Sequence, residues 1–218
     1  ISSVITSAQV SAISTLDVVA LMTRQIASLT TYQVSSVLTS AQVVAIETAD
    51  IVALVTSQIV SLTTYQISSV LSTAQVVAIE TVDIDVLTTA QIISLITYQV
   101  SVLSNAQVVA ISTQNISILE TSQIASFTTL QISSVLLSAL NTTSVVILSS
   151  AQIISLSTYQ ISSVLITSQV VAIETADISV LSTAQIVALT TTQISSVITS
   201  AQVSAISTLD VVALMTRQ

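Results

Sequence analysis

Residues 48–54 read Thr48-Ala49-Asp50-Ile51-Val52-Ala53-Leu54, and after Val55 the chain continues Thr56-Ser57-Gln58-Ile59-Val60-Ser61-Leu62. Both stretches obey one eight-residue rule: Thr or Ser, any residue, Gln or Asp, Ile or Val, any two residues, Leu or Ile, and one more. The constant apolar residues, such as Ile51 and Leu54, stand three apart. On a strand they would point to opposite faces, whereas on a helix they share one. Val, Ile and Thr favour strands by propensity, but the spacing decides for helix. The leading Thr or Ser reads as an N-cap, with Gln or Asp in the first turn beside the positive end of the helix.

One continuous helix is excluded by arithmetic, because eight residues at about 100° each rotate the apolar pair by about 80° per octad. The stripe would wind around the helix. Restarting a short helix in every octad keeps each Ile and Leu facing inward. A β-solenoid is the alternative, but its corners call for Gly, Asn or Asp. Gly is absent, and Asn occurs only at Asn105, Asn115 and Asn141.

The octads group into a longer unit. Anchors Gln9, Asp17, Gln25 and Gln33 step by 8, and a step of 9 reaches Gln42. One column, Gln25, Gln58, Gln91, Gln123, Gln152, Gln185 and Gln218, is spaced 33, 33, 32, 29, 33 and 33. Four octads therefore make one coil, and Ala-Gln-Val-Val-Ala-Ile-Glu-Thr recurs at 41–48, 74–81 and, with Ser168 for Ala, 168–175. The predicted fold is all-α: a four-sided α-solenoid of short helices, about 33 residues per coil. The short coil between Gln131 and Gln152 lacks four residues, close to one helical turn. Residues 194–218 repeat 1–25 without a change, a lag of 193 that implies tandem duplication of a larger block. Residues 1–218 thus read as one continuous solenoid segment, internal to a longer chain.

Composition narrows the function. Gly, Pro, Cys, Trp and His are missing, and the only basic residues are Arg24 and Arg217 against ten acids, for a net charge of −8. Catalysis needs the acid–base and nucleophilic groups this chain lacks, so no enzyme and no cofactor is expected. The acidic balance repels phosphate backbones, which argues against nucleic acid. A spanning helix needs about 20 mostly apolar residues, and the longest apolar runs, such as Ile51 to Val55, are five. No membrane insertion is expected.

The octads resemble the Leu-Thr-Thr-Ala-Gln-Ile-like octapeptide-repeat tracts of giant secreted bacterial surface proteins described as adhesin-like or haem-utilisation-like. That resemblance implies export and an extracellular or cell-surface role. It carries no haem site here, since no axial-ligand pair is present.

Two columns are candidate sites. Asp17, Asp50, Asp83, Asp177 and Asp210 share one octad position, with Asn115 among them, and Glu47, Glu80 and Glu174 precede three of these by three residues. Stacked, the candidate Ca²⁺ ligands Glu47, Asp50, Glu80, Asp83, Glu174 and Asp177 would form an acidic ladder for an ion that takes six to eight oxygens. The simpler reading is a solvated row of first-turn acids. Tyr32, Tyr65, Tyr98 and Tyr159, with Leu130 and Thr192 standing in, form the second column: corner packing, or a contact stripe for self-association with neighbouring solenoids. In the core, Ile51, Leu54, Ile59, Leu62, Ile67 and Val70 should be buried, with Glu47 and Asp50 accessible. These observations predict a structural protein forming an extracellular filament, stalk or surface fibre. The alternative is a repeat-ladder module of a large adhesin, binding Ca²⁺, ice or a surface carbohydrate.

Overall fold

The computed structural model describes residues 5–196 and 198–217, so Gln218 of the Gln25 column lies outside it. Every regular element among the described residues is helical, and no strand occurs among them. The chain divides into two compact units, Ile1–Asn115 and Ile116–Gln218. In the first, one coil comprises Ser40–Val44, Thr48–Ala53, Thr56–Ser61 and Gln66–Val70; in the second, one comprises Thr167–Ala172, Thr175–Ile178, Thr183–Ala188 and Thr191–Ser196. These are four short helices per turn of an all-α solenoid, as the octad arithmetic requires.

Most of the helices end where the octad's Leu or Ile turns extended. Leu54 has φ −62° and ψ 135°, and Leu62 has φ −56° and ψ 133°. This breaks the helix after about one and a half turns and re-aims the chain, with the break carried by ordinary residues at negative φ. The predicted core is buried: Ile51, Leu54, Ile59, Leu62, Ile67 and Val70 all lie inside. Fully burying such a side chain contributes about 1.5–3 kcal/mol each.

The caps sit one residue earlier than the octad reading placed them. Thr48 and Thr56 are the first helical residues, and Glu47 and Val55 are the N-caps. Where the cap is Ser or Thr, as at Ser72, Thr88 and Ser182, its hydroxyl accepts from the backbone N–H of the Gln three residues on. Gln and Asp are therefore the third helical residue, a position from which a side chain can reach back to the cap's own N–H.

The nine-residue octad has its own solution. Gln33–Val37, Gln66–Val70 and Gln160–Val164 are π-helical, and Leu38, Leu71 and Leu165 donate to the carbonyl five residues back at 2.9, 2.8 and 2.9 Å. The wider turn takes up the extra residue and leaves the Leu facing inward. Where this side has only eight residues, Thr97–Val102 is an α-helix. At Gln131 it shrinks to the 3₁₀ turn Thr129–Gln131, and the next helix, Ser134–Ala139, starts at once. The four missing residues of the short coil are lost here.

Candidate functional site: the clasp between coils

A six-residue helix leaves about two thirds of its backbone polar groups without an intrahelical partner, since the first four N–H and last four C=O groups of any helix are orphaned. The Gln column resolves this at both ends. Gln91 Oε1 accepts from the Thr88 N–H (2.9 Å) and hydroxyl (3.0 Å), closing the start of its own helix. Its Nε2 donates to the carbonyls of Val60 (3.0 Å) and Leu62 (2.8 Å), at the end of the helix one coil earlier. One buried amide thus caps two helices and ties two coils together.

The same clasp recurs through the first unit. Gln42 donates to Val10 and Ile13, Gln58 to Ala27 and Leu29, Gln75 to Val43 and Ile46, and Gln107 to Val77 and Ile79. In the second unit Gln169 donates to Leu137 and Leu140, Gln185 to Ile154 and Leu156, and Gln202 to Ile173. Where the cap is Val55, Ile96 or Ile166 and has no hydroxyl, the Gln oxygen still takes the cap N–H, at 2.8, 3.0 and 2.9 Å. Sequence reasoning missed this role, because a buried Gln has the same spacing as a solvated one and its partners lie about one coil away.

The acid column overturns an expectation. Asp50 is only 4 % exposed and Asp83 only 3 %, and Asp177 and Asp210 are buried too. Only Asp17, on the first coil, is exposed. These acids occupy the Gln position on the one side of the coil that carries no Gln, so the preceding coil covers them. A carboxylate cannot donate to the carbonyls below, and here the hydrogen bond runs the other way. The Ser150 hydroxyl, 27 residues back, donates to Asp177 Oδ1 at 2.5 Å, and Thr89 donates to Asn115 Oδ1 at 2.9 Å. Oδ1 of Asp83 and of Asp210 is buried without a hydrogen-bond partner, although the Thr183 hydroxyl lies near enough to favour the Asp210 carboxylate.

Glu47, Glu80 and Glu174 are exposed N-caps whose side chains make no cap hydrogen bond. The six candidate Ca²⁺ ligands therefore divide into exposed Glu and buried Asp. Among the described residues no group of three or more acids, His or Cys is placed to hold a metal ion. The tyrosines do not pack into corners: Tyr32, Tyr65, Tyr98 and Tyr159 are 62–64 % exposed, and Leu130 stands out further still. A hollow lined by Tyr159, Ser162, Thr183, Val187 and Thr191 carries no charged group. No helix among the described residues is long and apolar enough to cross a membrane.

The exposed Asp17 offers a direct reading of the cap. Its Oδ2 accepts from the Ser14 hydroxyl (2.7 Å) and backbone N–H (2.8 Å), and the hydroxyl first, then the N–H, hold its carboxyl below the ordinary 3.8. A depressed carboxyl stabilises the fold above its unfolded pKa, and that contribution is lost as pH falls through the lower folded value. A carbon-13 titration of the Asp17 carboxyl should show the low midpoint, and Ser14→Ala should raise it; an unmoved midpoint would mean the hydroxyl is not the cause.

Stacked coils of short helices, each clasped to its neighbour by the same side chain, define an all-α tandem-repeat protein. A family model described as the ALTTAQ repeat matches residues 43–78, 76–113 and 170–208, together just over half of the chain. The chain belongs to the ALTTAQ-repeat family, and the matches begin at Val43, Val76 and Val170, the same point of the coil each time. No curated protein and no solved structure matches it.

Proposed function

We propose that the protein is a structural element, a filament, stalk or surface fibre exported to the cell exterior and built for length. The observation that carries this reading is the clasp: the same Gln amide joins coil to coil in both units. Interactions of this kind are nearest-neighbour, so stability adds up coil by coil and the array extends without redesign. A catalytic or receptor site needs one place that differs from the rest, whereas this molecule invests in sameness. Resemblance to the tracts of giant secreted bacterial adhesin-like proteins supports an exterior location.

Resistance to proteolysis is the expected property of such a material. One 193-residue block holds a single Arg and no Lys, so trypsin has one site per block. Small aliphatic sites for elastase are everywhere, but corners such as Leu54-Val55 are two residues long and leave little loop to nick. Under native conditions the chain should survive elastase for hours and fall to small peptides only after denaturation. Rapid native digestion would remove the durable-fibre reading.

A further inference from the structure

In the coil that carries Asp83, three sides are joined to the preceding coil by the amides of Gln75, Gln91 and Gln99, and the fourth side presents a carboxylate instead. Asn115, the one amide in the acid column, shows what this position requires. Its Oδ1 accepts from the Thr89 hydroxyl at 2.9 Å and its Nδ2 donates to the Leu87 carbonyl at 3.4 Å. Asp83 takes the same place over the corner Leu54-Val55-Thr56, since Thr56 precedes it by 27 residues, as Ser150 precedes Asp177 where those two meet. An ionised Asp has no donor to offer the corner. Asp83 is 3 % exposed, and its Oδ1 is buried without a hydrogen-bond partner. The corner closes the helix Thr48–Ala53, so its carbonyls belong to the negative, unpaired end of a helix. Carboxylate and carbonyls converge there, and the chain's only cationic side chains, Arg24 and Arg217, belong to other coils.

A second acid stands beside the first. Glu80 is the N-cap three residues before Asp83, exposed, and its side chain makes no cap hydrogen bond. The side chains of a cap and of the third helical residue meet in this fold, as the Ser207 hydroxyl shows by donating to Asp210 Oδ2 at 2.6 Å. Glu80 therefore approaches the Asp83 carboxylate from the solvent side, opposite the corner. We propose that Glu80, Asp83 and the corner Leu54-Val55-Thr56 hold a Ca²⁺ ion, which does on this side what a Gln amide does on the other three. The two carboxylates match its charge. Carbonyl oxygens, the Thr56 hydroxyl and water on the Glu80 side complete the six to eight oxygens that Ca²⁺ takes. Each site thus needs only two acids, because the preceding coil supplies the rest, and the ion ties coil to coil. Glu47 with Asp50 and Glu174 with Asp177 repeat the pair, whereas Asp17 and Asp210 follow Ser14 and Ser207 and have no second carboxylate.

This proposal deepens the structural reading, on which it rests, but its test does not involve digestion. The 218-residue chain, stripped with EDTA and titrated with calcium chloride at constant ionic strength, should bind one ion for each Glu–Asp pair. Binding at the roughly 10⁻⁴–10⁻³ M usual for extracellular modules is expected, and Ca²⁺ at ten times that value should raise the thermal midpoint by about 5 °C or more. Glu80→Gln, at an exposed residue, and Asp83→Asn, which copies the amide of Asn115, should each bind one ion fewer while melting as the wild type does without Ca²⁺. No binding at millimolar Ca²⁺, an equal rise from sodium chloride at the same ionic strength, or an ion count unchanged in either variant overturns the proposal. Failure of the fibre reading shows instead as rapid native digestion with Ca²⁺ present or absent, so the two failures are told apart.

Discussion

Replacing Leu54 by Asp should lower the midpoint of thermal unfolding by about 10–20 °C, the shift that about 4–5 kcal/mol gives in a chain of this size. Leu54 is buried at the corner between Thr48–Ala53 and Thr56–Ser61. An Asp there either buries an unpaired charge or draws the corner out to water, and drawing it out uncovers Ile51 and Ile59 as well. Because each coil is supported only by its neighbours, the damage should begin locally and spread along the stack. Hydrogen exchange should find the lost protection concentrated within about one coil of residue 54, and circular dichroism should follow the midpoint. A midpoint within a degree or two of the native one would mean that the Leu column does not face the core.

The inward column was legible because it rests on period alone. Ile51 and Leu54 are three apart, only a helix puts both on one side, and the 80° drift per octad forces a break. The nine-residue octad was legible as a length but not as a π turn, because Gln33-Val34-Ser35-Ser36-Val37 carries no residue that announces a wider turn. The cap was misplaced by one residue because Thr48 and Thr56 look like caps, while the true caps, Glu47 and Val55, carry no hydroxyl, and at Val55 the Gln58 oxygen takes the cap N–H instead. The largest gap concerned polarity. Gln and Asp at a helix start are usually solvated, and only the neighbouring coil, about 30 residues away, buries them here. Leu136, fully buried in the Gln position of the shortened coil, was a clue that this column faces inward.

The Gln column permits a substitution whose effect reverses with pH. Gln91→Glu changes one amide to a carboxylate of nearly the same shape, in a place 2 % exposed. At neutral pH the oxygen facing Thr88 still accepts, but the other now meets the carbonyls of Val60 and Leu62, where the amide donated. Leaving a buried charge uncompensated in this way costs about 3–5 kcal/mol. Protonation restores a donor, so the folded state should raise the pKa of the introduced carboxyl above the roughly 4.3 of an unfolded one. A raised carboxyl pKa means that folding takes up a proton. The deficit should therefore be full above the folded pKa, shrink as pH falls through it, and nearly vanish below the unfolded value. Gln91→Leu, which removes both functions without adding charge, should cost about 1–3 kcal/mol with no comparable recovery in acid. Thermal melts of the three proteins at pH 7 and pH 3 separate these cases. A deficit for Gln91→Glu that is the same at both pH values would show that the Nε2 bonds to the preceding coil do not hold the stack together, and the clasp would lose its place as the unit from which this structure is built.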